Sequence, residues 1–311
     1  MKESFGKKLV LRSENKTRIV TINNIIEDYQ SQGYKLTLRQ LYYQLVSRDI
    51  IPNKVEEYTK LSTLLNKGRM SGFVDWDAIV DRTRNIKTPY YEYSTQDAVQ
   101  RTINSYKLDR HDVQDNYIEL WLEKDALSEI IYRATQPYGI SLMVNRGYSS
   151  CSAMYQSYQR LAQEINNDKN VIIFYLGDHD PSGLDMIRDI RDRLSEMLIY
   201  GTELQNNFDD LEQAQYWLNK KLQVKPIALT SKQVRDYNPP PNPAKLTDPR
   251  ATKYVEEFGY TSWEVDALNP KTLDTLVKES ILDYIDLDKH QEILDKEEED
   301  KEKLEDLITK L

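Results

Sequence analysis

Three acidic residues stand where a fold could gather them into a cation site. The stretch Val171-Ile172-Ile173-Phe174-Tyr175-Leu176 is an unbroken apolar run of strand length, and it leads into Gly177-Asp178-His179-Asp180-Pro181-Ser182-Gly183. Such a run reads as a buried parallel strand whose carboxyl end opens on a crevice. Asp178 and Asp180 are two apart in an extended segment, so they are expected to point the same way. Carboxylates that close repel each other, and a hard divalent ion such as Mg²⁺ is the usual remedy. A second strand-like run, Tyr117 to Leu122, ends in Glu123-Lys124-Asp125 and precedes a helical stretch from Ala126 to Gln136, which makes Glu123 the third candidate ligand. The competing reading is that Asp180-Pro181-Ser182-Gly183 only starts a helix, with Asp180 as cap and Pro181 in the first turn. That explains Asp180 and leaves Asp178 unexplained.

The elements that must hold these acids alternate between strand and helix patterns. Ile140 to Val144 reads as a strand, followed by Asn145-Arg146-Gly147-Tyr148-Ser149-Ser150 and a long helix through Asn166. A helix follows Pro181, another spans Asp209 to Leu222, and Val224 to Thr230 reads as a further strand. The pattern predicts an α/β class with a mostly parallel sheet and helices on both faces. Arg146 and Ser149 at a helix N-terminus suit a phosphate, although Ser149 or Ser150 suits a plain cap equally well.

The front of the chain differs in charge. Residues 1 to 110 carry 19 Lys and Arg against 13 Asp and Glu, while the rest carry 23 against 38, within a net charge of -9. A basic front and an acidic remainder suit one part that meets phosphate and another that holds a cation; compositional drift between domains is the alternative. Helical periodicity over Thr17 to Gln32, a Thr37-capped helix through Val46 packed by Leu41 and Leu45, and a basic amphipathic helix from Val55 to Met70 together predict a winged helix-turn-helix. Lys60, Lys67 and Arg69 on the third helix are the candidates for contact with a DNA groove, with a solvated charged face as the alternative. Phe73 to Arg84 is the expected wing, with Arg82 and Arg84 available for phosphates.

The Glu after one strand and the Asp-x-Asp after a later one resemble the Toprim domain. The following Pro181-Ser182-Gly183 narrows the likeness to the A subunit of topoisomerase VI and the related meiotic double-strand-break protein. Thr37-Leu38-Arg39-Gln40-Leu41-Tyr42-Tyr43 resembles that family's nucleophile motif. The resemblance implies that Tyr43 attacks DNA and Arg39 assists it, while Glu123, Asp178 and Asp180 hold Mg²⁺. Gln40 departs from the family's usual Asp, which weakens a capping or orienting role there. The chain has 22 Tyr, so a Tyr pair that is merely core is the competing reading. Ser262 to Leu268 is similar to the family's late acidic strand, which makes Glu264 and Asp266 second-rank site candidates. The resemblance further implies double-stranded DNA as substrate, and a homodimer in which each tyrosine serves its partner's acids. No P-loop or B-subunit-like ATPase signature is present in the sequence, so ATP-driven strand passage would need a separate GHKL-type ATPase subunit.

Composition bounds the remainder. Aromatic content of 10% argues for folded domains, and a mean hydropathy of -0.70 without a long apolar run argues against a membrane span. A single Cys151 and histidines at 111, 179 and 290 supply no framework for disulfides or structural zinc, and no signal peptide is read at the start; a cytoplasmic setting is expected. The expected organisation is a winged-helix domain over 1–86, a connector over 87–116, a Toprim domain over 117–288 and an acidic helical tail over 289–311. Asn238 to Lys245, rich in proline, should be a stiff surface loop, with Lys245, Arg250 and Lys253 nearby for phosphate. The expected activity is Mg²⁺-dependent DNA strand breakage through tyrosine. The alternatives are a metal-dependent nuclease without a covalent intermediate, and a non-enzymatic DNA-binding protein with a structural cation.

Overall fold

The computed structural model describes residues 2–5, 13–81, 89–202 and 207–308. The front region is helical: α1 (Ser13–Ser31), α2 (Leu38–Ser47) and α3 (Val55–Met70) close on one apolar core. Ile22, Ile25 and Tyr29 from α1, Leu41 and Leu45 from α2, and Leu61 from α3 are buried there at the spacing that helical periodicity predicts. Gly33 ends α1 with φ of 78°, a conformation that favours glycine. Thr37 starts α2 with a capping box: its hydroxyl accepts from the Gln40 amide, and the Gln40 side chain accepts from the Thr37 amide at 2.8 Å. The weakened role expected of Gln40 is therefore corrected, because a neutral amide at the third position closes the box as well as an acid would.

The expected wing is not a hairpin over its described part. Residues 73–81 make a single bridge, Ile79 to Leu36, and the side chains of Val74, Ala78 and Ile79 turn into the helical core. Arg69 grips the same segment, donating to the Trp76 carbonyl at 2.6 Å and lying over the Trp76 ring. Arg82 and Arg84 lie outside the described residues.

After α4 (Thr95–Ser105) the chain enters an all-parallel sheet of β1 (Asn116–Leu122), β2 (Ser141–Val144), β3 (Asn170–Leu176) and β4 (Leu222–Ala228), in the order β2-β1-β3-β4. Helices connect the strands: α5 (Ser128–Thr135), then α6 (Cys151–Asn166), then α7 (Pro181–Gly201) and α8 (Leu211–Lys221). Ile118, Leu120, Ile172 and Phe174 bury against α5, and the alternate residues Trp121, Ile173 and Tyr175 bury against α6, α7 and α8. Both faces are covered, which is why the two central strands read as continuous apolar runs. The connection from β1 runs outward to β2 and that from β3 outward to β4, so the topology switches between β1 and β3. A crevice is expected at their carboxyl ends.

Beyond β4 come α9 (Ser231–Tyr237), a two-residue strand β5 (Asn242–Pro243), α10 (Ala251–Phe258) and its antiparallel partner β6 (Thr261–Ser262). The Ser262 to Leu268 stretch, expected as a strand, continues instead into a single 3-10 turn over Val265–Ala267. The reason lies in its hydrogen bonds: Trp263 spends its backbone on His179, and the Val265 amide goes to a carboxylate rather than to a strand neighbour. Then α11 (Pro270–Leu282) packs beside α5, and α12 (Leu287–Ile308) lies along α4. The acidic tail is thereby tied to the connector. Glu297 accepts from the Leu108 amide at 3.1 Å and pairs with Arg110 at 3.3 Å. Among the described residues no helix is long and apolar enough to cross a membrane.

Candidate active site

The ladder between β1 and β3 runs one residue past the strands, because the Glu123 amide donates to the Leu176 carbonyl at 2.9 Å. This puts Glu123 beside the chain leaving β3, where its carboxylate accepts from the Asp178 amide at 3.1 Å. Asp178 is buried, 5% exposed, with Oδ1 accepting from the Val265 amide at 3.0 Å and Oδ2 2.5 Å from Lys124 Nζ. Asp180 caps α7, accepting from the Gly183 amide at 2.6 Å. The helix sits so near this turn that a Cβ at Gly183 would collide with the Asp178 carbonyl, which is the physical need for glycine after Pro181. The helix-start reading of Asp180 is therefore what the structure shows for this residue.

His179 points elsewhere and fastens the segment that crosses the strand ends. Its backbone pairs with Trp263 in both directions, at 2.8 and 3.0 Å, and its ring nitrogens lie 3.0 Å from Tyr254 Oη and 2.9 Å from Ser231 Oγ. The segment after Trp263 is thereby pinned over the strand ends, delivering Glu264 and Asp266. Lys124 Nζ is 3.4 Å from Glu264 Oε2 and 3.9 Å from Glu123 Oε1, in addition to its close pair with Asp178.

The front region enters the same network. Arg39, half-buried on the first turn of α2, pairs with Asp266 at 2.6 Å and also with Glu264. The same guanidinium lies 3.4 Å from Tyr43 Oη, one helical turn onward. A continuous run of polar contacts thus joins Tyr43 through Arg39, Asp266 and Glu264 to Lys124, Asp178 and Glu123, all within one chain. Tyr42 faces away, donating to Asn53 Oδ1 at 2.9 Å. Asn53 in turn holds the proline-rich loop, donating to the Pro241 carbonyl at 3.1 Å and to Asn242 Oδ1 at 2.7 Å.

Charge in the crevice is unbalanced. Glu123, Asp178, Asp180, Glu264 and Asp266 face two cations, Lys124 and Arg39. Burial raises the pKa of Asp178, Glu123 raises it further, and Lys124 only partly offsets the two. Burial likewise raises Glu123, against the pull of Lys124. For Lys124 burial is the largest single influence and acts downward, but Asp178, Asp266 and Glu123 together outweigh it and the ammonium is held more firmly protonated. Burial raises the Tyr43 phenol above its ordinary value, and Arg39 works against it. Asp266 is 1% exposed and its Oδ1 has no hydrogen-bond partner.

The donors are the hard oxygens that Mg²⁺ takes, and the surplus negative charge and the orphaned Asp266 oxygen both favour a further cation. Their present placement is another matter: among the described residues no three acid, His or Cys side chains are grouped to hold a metal ion. The Lys124 ammonium stands among the carboxylates instead.

Of the other residues singled out from sequence, Lys60 and Lys67 are exposed on α3, with Lys60 paired to Glu57 at 2.6 Å. Arg69 is turned inward onto Trp76, so it is not part of that exposed basic face. Arg146 is mostly exposed and pairs with Asp125 at 3.2 Å. Arg250 is engaged by Asp185 and Asp248, while Lys245 and Lys253 are exposed. Sequence reasoning passed over Lys124 and His179. The available signal for the first was a cation directly after the strand-end acid. Scanned against models of protein families and against curated proteins, the chain finds no match in either.

Proposed function

We propose that this chain breaks double-stranded DNA by tyrosine transesterification, as a compact relative in kind of the topoisomerase VI A subunit, with a winged-helix-like front and a Toprim-like sheet. The observation that carries the reading is the polar path from Tyr43 through Arg39 to the strand-end acids. A tyrosine that was merely core would have no reason to share its guanidinium partner with the two acids above Asp178, and its neighbour Tyr42 has none.

In this reaction Tyr43 Oη bonds to phosphorus, the bond from phosphorus to O3′ breaks, and the phenolic proton is in net passed to the 3′ oxygen, leaving a 5′ phosphotyrosyl end. Arg39 lowers the cost of the phenolate and is placed to meet a phosphate. Glu123, Asp178 and Asp180 would hold Mg²⁺, which when bound supplies positive charge to the non-bridging oxygens. Lys60 and Lys67 contribute salt-sensitive attraction to the backbone. Tyr43 is 5% exposed, so the front region must move before DNA reaches it; the Arg39 ion pairs and the Asn53 bonds to Pro241 and Asn242 are among the contacts that have to exchange. A homodimer suits cleavage of two strands related by a dyad, and a separate GHKL-type ATPase would be needed for strand passage.

The same burial, with the raised phenol pKa, favours a second reading in which the acids serve water-mediated hydrolysis and Tyr43 only positions Arg39. Denaturant-quenched reactions on end-labelled DNA separate the two. The first reading expects protein-linked 5′ ends that vanish in Tyr43→Phe. Free 5′ phosphates made at full rate by Tyr43→Phe would overturn it and leave hydrolysis.

A further inference from the structure

We propose that Lys124 is a tethered counter-ion that occupies the cation position of this site and must be displaced for a divalent ion to bind. The inference rests on the Mg²⁺ reading above and adds to it a residue that opposes the metal. Lys124 Nζ sits 2.5 Å from Asp178 Oδ2, with Glu264 at 3.4 Å and Glu123 at 3.9 Å. Asp178 Oδ1 already accepts from the Val265 amide, so both of its oxygens carry a donor in this state. A Mg²⁺ ion binds carboxylate oxygen at about 2.0–2.1 Å. Two cations on one carboxylate would stand about 4 Å apart, where like charges in a buried site repel strongly, so an ammonium held on Asp178 opposes a Mg²⁺ ion there.

The two cations of the crevice differ in how readily they can leave. Arg39 is forked onto Asp266 and Glu264. Arg39 is the more exposed of the two, 43% against 23%, but Lys124 is a point charge on a flexible four-carbon stem with one close pair to break rather than a fork of two. One positive charge also leaves the five acids under-neutralised, and the orphaned Asp266 Oδ1 is 99% enclosed with them. A divalent ion offsets that surplus better than the ammonium, which gives the exchange its driving force. The metal-free protein is in turn kept from having bare carboxylates face each other.

The test is calorimetric titration of MgCl₂ into the full chain, stripped of metal by chelator, as wild type, Lys124→Met and Lys124→Arg. Lys124→Met keeps the apolar stem and removes the charge, so it should bind Mg²⁺ about tenfold more tightly or better, while Lys124→Arg should bind no more tightly than wild type. A measurement on the unaltered protein guards against a variant that fails to fold: acetylation of Lys124, read by mass spectrometry, should quicken when Mg²⁺ is saturating. Wild-type binding with no gain in a folded Lys124→Met, or with unchanged Lys124 acetylation, overturns the counter-ion role and spares the metal reading. Absence of Mg²⁺ binding in both wild type and Lys124→Met removes the metal reading, and this inference falls with it.

Discussion

Glu119 lies within β1 and Glu123 directly follows its end, yet their surroundings differ in kind. Glu119 is fully buried, and each of its oxygens has two donors: Tyr117 Oη and Arg160 Nε at 3.0 Å on one, Trp121 Nε1 at 2.9 Å and Arg160 Nη2 at 3.2 Å on the other. Among the described residues Glu123 receives only the Asp178 amide at hydrogen-bond distance, with Lys124 3.9 Å away and shared among three acids. Burial alone would select Glu119 as the functional acid. What separates them is the balance of charge: one carboxylate is matched by its own guanidinium and ring donors, and the other belongs to a group of acids with too few cations. A matched buried charge needs no further partner, whereas acids with too few cations favour another positive charge beside them.

The largest expected effect comes from breaking the unmatched side. Asp178→Asn should reduce DNA cleavage by about a hundredfold or more, as expected when the cation that stabilises the reacting phosphate is lost. Salt-sensitive DNA binding through α3 should persist, because Lys60 and Lys67 lie outside the crevice. Gel assays of cleavage beside fluorescence-anisotropy binding measure both, and a cleaving Asp178→Asn would remove that residue from the site.

Breaking the matched side should act on stability instead. Glu119→Ala leaves Tyr117, Trp121 and Arg160 without their acceptor, a loss of about 3 kcal/mol, with Arg160 partly relieved by its exposure. Urea unfolding should place Glu119→Ala well below wild type and Asp178→Asn close to it or above. Equal losses in the two would mean that the crevice acids are as well compensated as Glu119.

The tyrosine pair gives a smaller contrast of the same form. Tyr42→Phe removes a hydrogen bond to Asn53 and should cost about 1 kcal/mol of stability while leaving cleavage within a few-fold of wild type. Tyr43→Phe loses little packing. Paired unfolding and cleavage measurements that reverse this order would place the reacting phenol at Tyr42.

How far these distinctions were legible in sequence follows from the range of the interactions. The four strands and their helices were readable because apolar runs are local signals, and an order that switches between β1 and β3 brings the chain after each, with Glu123 and Asp178, side by side. The turn over Val265–Ala267 was read as strand, since nothing local shows that the Val265 amide will find Asp178, 87 residues away. Arg69 was read as groove-facing because periodicity cannot reveal that its guanidinium turns back onto Trp76. The docking of α12 depends on Glu297 meeting Arg110, a pairing invisible in a run of acidic residues that suits solvent equally well. Lys124 stood next to Glu123 in plain view, but its meaning appears only once Asp178 and Glu264 converge on it.

The smallest effect tests the charge imbalance directly, through pH. With its pKa raised by burial and Glu123, Asp178 binds its proton in the folded state at a pH where the unfolded chain has already released it. The folded state therefore holds more protons than the unfolded one above the ordinary carboxylate range, and this group's contribution makes stability fall as pH rises. His111 acts with the opposite slope. Burial lowers its pKa from 6.5 to about 4, so the unfolded chain protonates first and stability drains as pH falls through that window. A simple acid scan of wild type would mix the two. The difference between Asp178→Asn and wild type isolates the first, because His111 is common to both and cancels. In chelator, any stability advantage of Asp178→Asn should be greatest near pH 8 and shrink steadily toward pH 5, where wild-type Asp178 gains its proton in the fold. Urea unfolding at intervals across that range measures the difference, and a flat or rising advantage on acidification would mean that Lys124 balances Asp178 as completely as Arg160 balances Glu119.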